Sequence, residues 1–398
     1  MSALAEPLVY RPLRQGYIRL IELCAGSGDD HLYCKIRTYP RTSPPPYEAL
    51  SYIWGPQDYL YDLYCGDRPL QVLKIGRNLR DAFLRLRPNP NTTKLPRVLW
   101  VDKVCINQEN ITERSVHVRI MGSVFRESRK VWVWLGEEDK ATQNAFRLAA
   151  YIYDKKISCE DGVSFDTWQA LKTFSKDSAM SHSDIAKVVT DIHQLTDRPW
   201  FCRAWVFQEI VLVAMADLVC GAHIMSFECF TWFCNNWFHA ISGKLVSREA
   251  KIMLATRDVM SETADGRLPT DYFEHLLNYR RQCIASDPHD VIFSLLGLFP
   301  EQSTAIIRPD YSLSIKDTFT TATRFTIRES SELRILCAVE CPKYEDQDGF
   351  PSWVPDWRAP MESCLNTLGD RTPRSDWWAT KGSPLLLSIH ETENELGV

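Results

Sequence analysis

Between residues 48 and 135 short apolar runs alternate with amphipathic stretches, and this alternation limits the fold more than any other feature of the chain. Residues 48–53 form one apolar run, which stops at Trp54-Gly55-Pro56, a sharp exit loop. Ile75, Leu79, Ala82, Phe83 and Leu86 then recur at helical spacing. Residues 97–101 are a second apolar run, ending at Asp102. Residues 111–126 read as a helix started by Thr112, with the acidic Glu113 in its first turn. Residues 131–135 are a third run, closed by Gly136. Strands separated by helices predict an α/β fold, a parallel sheet covered by helices on both faces.

The flanking segments are organised differently. Residues 17–23 and 32–37 read as strands joined by a Gly26-Ser27-Gly28-Asp29 turn, and Pro44-Pro45-Pro46 then breaks regular structure. The expected division is a strand extension over 1–46, a principal domain over 47–225, and a C-terminal α+β region over 226–398 that packs on it. The principal domain carries a more polar helical insertion at about 137–197. The last region is expected to be mainly helical with short strands.

Composition removes several classes of function. A net charge of −5 over 398 residues leaves no electrostatic footprint for nucleic acid. The most apolar stretch, residues 204–220, is interrupted by Gln208, Glu209 and Asp217, so no membrane span is expected. Thirteen Cys are scattered without a CxxC pair, and no metal site is expected. Together these point to a cytoplasmic protein with reduced thiols. His182 and His193 stand in the insertion, and His289 stands beside Asp287 and Asp290; all three read as exposed or satisfied side chains.

In an open parallel sheet, ligands bind outside the carboxyl ends of the strands. Three segments end strands with polar or aromatic groups there: Ser51-Tyr52-Ile53-Trp54-Gly55, Asp102 with its following loop, and Gly136-Glu137-Glu138. Asp102, Asn107, Gln108 and Glu109 have the chemistry to hold ribose hydroxyls, and equally the chemistry to shape a turn. Cys105 reads as a nucleophile or, with no His at a telling spacing, as a small buried residue. A helix over 200–213 places Trp205 and Glu209 four residues apart on one face. Glu209 there is either an acid group meant for a ligand or a plain ion-pair partner on a core helix.

Five stretches, in order, resemble the fungal heterokaryon incompatibility (HET) domain. They are Tyr47-Glu-Ala-Leu-Ser-Tyr-Ile-Trp-Gly55, Leu99-Trp-Val-Asp-Lys-Val-Cys-Ile-Asn-Gln108, residues 113–121, Val131-Trp-Val-Trp-Leu-Gly136 and residues 198–209. Downstream, Asp287-Pro-His-Asp290, Pro309-Asp-Tyr-Ser312 and Pro351-Ser-Trp-Val-Pro-Asp-Trp357 are similar to the region that commonly follows this domain. The resemblance implies a fungal protein of non-self recognition whose domain triggers programmed cell death.

The resemblance extends distantly to Toll/interleukin-1 receptor (TIR) domains, which implies a TIR/flavodoxin-like parallel sheet flanked by helices. In enzymatic TIR domains the Glu of a W-x-x-x-E helix cleaves NAD, and the match puts that role on Glu209, with Trp205 beside it. NAD is then a substrate, and no cofactor is implied. Ser51, Tyr52, Trp54, Gly55, Asp102 and Trp205 are the candidate substrate-binding residues. Activation by self-assembly is also implied, through a loop carrying Lys103, Ile106, Asn107 and Gln108, with Ile106 buried at the contact or within its own domain. An incompatibility partner protein is implied as the trigger. The alternative is a self-associating signalling adaptor without catalysis.

Overall fold

In a computed structural model, the described residues are 6–158 (without 57 and 67–69), 169–170, 172–174, 191–240 (without 192–193), 246–339 (without 282 and 331), 349–358, 388–389 and 396–397. His182, His193 and about half of the expected insertion lie outside them. Backbone contacts divide the chain into two compact units. The first is Met1–Arg114, Ser123–Phe201 and Glu209–Ala255, and the second is Ser115–Gly122, Cys202–Gln208 and Thr256–Val398.

The first unit is built on a ten-stranded sheet. Its strands are β1 (Glu6–Pro7), β2 (Tyr17–Leu23), β3 (Leu32–Pro40), β4 (Glu48–Tyr52), β5 (Leu60–Cys65), β6 (Gln71–Gly76), β7 (Arg97–Trp100), β8 (Val131–Trp134), β9 (Ala216–Cys220) and β10 (His223–Ser226). They lie in the order β1-β6-β5-β3-β2-β7-β4-β8-β9-β10. The strands β7, β4, β8 and β9 are all parallel neighbours. The sheet as a whole is mixed rather than parallel: β2 runs against both β3 and β7, β5 against β6, and β9 against β10. The β2–β3 pair was expected, but the β5–β6 and β9–β10 hairpins were hidden because their polar residues break any apolar run. In β5 and β6, Asp62 and Lys74 pair across the strands as an exposed ion pair.

The central strands show why they sit inside. In β4, Ala49, Leu50, Ser51 and Tyr52 are all buried, as a strand covered on both faces requires. Helix α1 (Arg77–Leu86) buries Leu79, Ala82, Phe83 and Leu86 and turns its arginines outward. The short α2 (Asp102–Cys105) follows β7, and α3 (Ile111–Glu127) leads towards β8. The start of α3 is set by Asn110, not Thr112: the Asn110 side chain accepts from the Glu113 amide at 3.0 Å. Helix α4 (Lys140–Ile157) follows β8, capped by Asp139.

The expected helix over 200–213 is much shorter. A 3-10 turn covers Pro199–Cys202, and α5 is only Val206–Ile210, so Trp205 precedes the helix instead of sharing its face with Glu209. After β10 come α6 (Phe227–Ala240) and α7 (Arg248–Glu262). The second unit contains α8 (Tyr272–Tyr279), α9 (Asp290–Leu296), α10 (Glu301–Thr304) and α11 (Ile315–Ser330). Phe273 meets Phe299 and Phe325 edge to face in its core, and Trp357 of the Pro/Trp-rich loop packs on Phe319. Among the described residues, no helix is long and apolar enough to cross a membrane.

Candidate functional site

Strand β4 carries Ser51 near its carboxyl end, paired in register with Val133 of β8. The Ser51 hydroxyl donates to Glu209 Oε2, and the Trp200 indole N–H donates to the same hydroxyl oxygen at 2.8 Å. All three groups are enclosed: Glu209 is 3 % exposed, Ser51 1 % and Trp200 0 %. A hydroxyl is one donor and two acceptors, so Ser51 here gives its single hydrogen to the carboxylate and takes the indole's. The result is a buried relay from Trp200 through Ser51 to Glu209.

One residue on, the chain leaves β4 and builds a second cluster. The Trp54 indole N–H donates to Asp102 Oδ2 at 2.8 Å, and the Lys103 amide donates to Asp102 Oδ1 at 2.6 Å. The Lys103 ammonium lies 4.9 Å from the centre of the Trp54 ring, within cation–π reach. Asn78, in the first turn of α1, donates to the Ile53 carbonyl at 2.6 Å and accepts from the Trp134 indole at 2.8 Å. The ends of β4, β7 and β8 are thereby tied to one another. Gly55 makes the exit from β4 with φ of 68°, a left-handed conformation that suits glycine. Tyr52 is buried in the strand itself.

With that geometry in view, residues 47–209 match the family model of heterokaryon incompatibility protein (HET). Across a longer stretch, the chain is 26% identical over 392 residues to "Heterokaryon incompatibility protein 6, OR allele" of Neurospora crassa. That alignment covers 86% of this chain, which spans 58% of the length of that relative. No solved structure matches the chain.

The loop after β7 is fixed from inside. Glu113 of α3 grips Arg19 of β2 with both oxygens, one pair at 3.1 Å, and accepts from the Asn107 amide at 2.7 Å. Arg19 also donates to the Cys105 and Arg11 carbonyls. Gln108 donates to the Asp102 carbonyl at 2.8 Å, and Asn107 Oδ1 accepts from the Glu109 amide at 3.2 Å. These are turn-shaping bonds. Ile106 is 3 % exposed, covered by its own chain. Cys105 is fully buried, and burial pushes its thiol up to about 12, which makes it a poor nucleophile near neutrality.

Arg198 secures the exit from β8 in the same way. It donates to the Leu135 carbonyl at 2.7 Å and the Thr142 hydroxyl at 2.8 Å, and pairs with Asp139 at 3.2 Å. Trp205, by contrast, is half-buried and falls in the second compact unit, whereas Glu209 falls in the first. His289 is satisfied within the second unit, with Asp287 at 2.6 Å and the Leu313 carbonyl at 3.0 Å on its two ring nitrogens. Sequence reasoning gave no role to Trp200, Asn78, Arg19 or Arg198, and gave Glu113 only a place in the first turn of its helix. Only Trp200, Glu113 and Arg198 stood inside the quoted motifs. Nothing local marks Asn78 or Arg19.

Proposed function

We propose that this chain is an effector of fungal heterokaryon incompatibility, in which the HET domain triggers programmed cell death by cleaving NAD after self-assembly. The family match and the name of the Neurospora crassa relative support the biological role. Strand order supports the TIR-like reading. Numbered among themselves in chain order, β4, β7, β8 and β9 lie as 2-1-3-4, the beginning of the flavodoxin-like order. Such sheets bind ligands where that order reverses, at the carboxyl ends of the first and third strands. Here those strands are β4 and β8.

The observation that carries the proposal is the Ser51–Glu209 hydrogen bond at that place. Burying a carboxylate costs several kcal/mol before hydrogen bonds offset it, and groups held against that cost concentrate at functional sites. In the reaction the C1′–N bond to nicotinamide breaks, and its electron pair leaves on the ring nitrogen, neutralising the pyridinium. No general acid is needed. A water oxygen bonds to C1′ and loses its proton. Glu209 stabilises the positive charge that develops on the ribose, as a carboxylate does in glycoside hydrolysis. Ser51 orients Glu209, Trp54 stacks a ring, and Asp102 lines the pocket with Tyr52 and Gly55.

Glu209 at 3 % exposure is closed to substrate, so assembly must open the crevice. Ile106 is already covered, which leaves Lys103, Asn107 and Gln108 to supply the loop's contact with a neighbouring copy. The same burial favours a second reading, a non-catalytic adaptor in which the Glu209 network only holds the fold together. Nicotinamide release separates the two readings when the purified protein is incubated with NAD, free and fused to an oligomerising partner. Turnover in the fused form supports the enzyme. No turnover in either form, with assembly verified by light scattering, selects the adaptor.

A further inference from the structure

Away from the Glu209 network, the first unit has a cleft of about 670 Å³ between the outer face of α1 and the Gly26–Gly28 turn. Four arginines line it, Arg77, Arg80, Arg85 and Arg87, against two carboxylates, Asp81 and Glu137. A positive cleft on a chain of net charge −5 is a local reversal of sign. Arg77, Arg80 and Arg85 follow from the helix: with Leu79, Ala82, Phe83 and Leu86 turned to the core, positions 77, 80, 81, 84 and 85 point away from it.

Arg87 is the unusual member. It is 8 % exposed, and its guanidinium donates to the carbonyl oxygens of Gly28 and Asp30; among the described residues it makes no direct ion pair, and the Asp30 carboxylate acts on it only through a longer-range attraction. Carbonyl dipoles satisfy its hydrogen bonds without pairing the charge directly, and a buried cation with no carboxylate in contact is costly. A side chain at residue 26 would place its Cβ 2.9 Å from Arg87 Nη1, so it would push the guanidinium from its place under the turn. The turn thus brings backbone and the Ser27 hydroxyl to the wall that carries the buried charge.

The other three arginines are held loosely. Arg77 meets Asp81 at 3.6 Å and is 76 % exposed, and the Arg85–Glu137 pair at 2.7 Å has both side chains more than two-fifths exposed. Arg80 pairs with Asp81 at 2.9 Å and stacks 4.6 Å from the centre of the Tyr61 ring, so its guanidinium is oriented. Exposed pairs of this kind contribute little, and a more highly charged anion displaces them. Planar guanidinium groups bind phosphate oxygens two at a time. The cleft volume lies in the range that holds one small organic ligand.

We propose that this cleft is a binding site for a soluble di- or polyphosphate ester of nucleotide size, its phosphates held by Arg80 and Arg85 over the buried charge of Arg87. The site is independent of NAD cleavage and does not need the Glu209 proposal to hold.

The test is calorimetric titration of the purified full chain with ADP and with pyrophosphate, using sodium sulfate at matched ionic strength as the control. Saturable binding that weakens about tenfold for each of Arg80→Ala and Arg85→Ala, and is unchanged in Glu209→Gln, is the expected result. Arg87→Ala is unsuited because loss of its carbonyl bonds would disturb the fold; Arg77→Ala serves as the third variant, with a smaller loss. Equal heats from sulfate, or binding indifferent to Arg80→Ala and Arg85→Ala, would overturn the site. Sedimentation with vesicles carrying phosphoinositides, without competition by ADP, would overturn the soluble ligand in favour of a lipid headgroup.

Discussion

Ser51 and Glu209 stand 158 residues apart in the chain, and the hydroxyl of one donates to the carboxylate of the other inside the first compact unit. Trp200 donates to the same hydroxyl, so losing Ser51 removes one hydrogen bond from each outer group. Ser51→Ala should therefore cost about 2–4 kcal/mol, above a single lost hydrogen bond, because a buried carboxylate and an indole each lose a hydrogen bond. Urea unfolding followed by circular dichroism measures it. A cost under about 1 kcal/mol would mean that water replaces the hydroxyl.

Arg19 and Glu113 are an enclosed ion pair, with side chains 3 % and 9 % exposed. Removing one partner leaves the other charged and uncompensated, so Glu113→Ala should destabilise by about 3–5 kcal/mol. Replacing both with apolar residues, as in Arg19→Met with Glu113→Leu, should recover a substantial part. The double variant should still lose order in residues 103–110, since Glu113 also holds the Asn107 amide; hydrogen exchange at that amide reads this out.

Two glycines in the strand exits should respond differently to alanine. Gly55 has φ of 68°, and the nearest atom to an added Cβ is Asn78 Cβ at 3.8 Å, so Gly55→Ala meets only backbone strain of about 1–2 kcal/mol. Gly136 has φ of 98°, and an added Cβ meets Arg198 Nη1 at 3.4 Å, the group bonded to the Leu135 carbonyl. Gly136→Ala should be the more damaging of the two in thermal unfolding. The reverse order would remove Arg198 as the support of the β8 exit.

Cys105 offers a pH test. Its thiol is raised to about 12 by burial, whereas an unfolded cysteine ionises near about 8.5. Above that lower value the unfolded chain releases a proton that the folded chain keeps, so this group lowers stability as pH rises from about 8.5 towards 12. In the native protein at pH 8, iodoacetamide should leave Cys105 unmodified while urea exposes it. Rapid native alkylation at that position, followed by mass spectrometry, would restore Cys105 as a candidate nucleophile.

The alternation of β4, α1, β7, α3 and β8 was legible because each is a locally consistent run, and the family motifs fall at their ends. The β5–β6 and β9–β10 hairpins were harder to read, since polar residues such as Asp62, Lys74 and His223 interrupt them. The helix over 200–213 was overestimated because an apolar run carries no mark of where a 3-10 turn gives way to α-helix. Glu209 was singled out from its neighbours, but its bond to Ser51 was not, because contacts across 158 residues leave no trace in local spacing. Asn78 illustrates the same limit. It reads as an ordinary first-turn residue of α1, yet it joins the ends of β4 and β8.

The most direct measurement is nicotinamide release from NAD by the assembled protein, with Glu209→Gln alongside. Gln keeps a side-chain carbonyl to accept from Ser51, so the variant should retain its fold by circular dichroism while losing the charge. Loss of at least a hundredfold in turnover with an unchanged spectrum is the predicted result. Full turnover by folded Glu209→Gln would contradict the assignment of that carboxylate to catalysis.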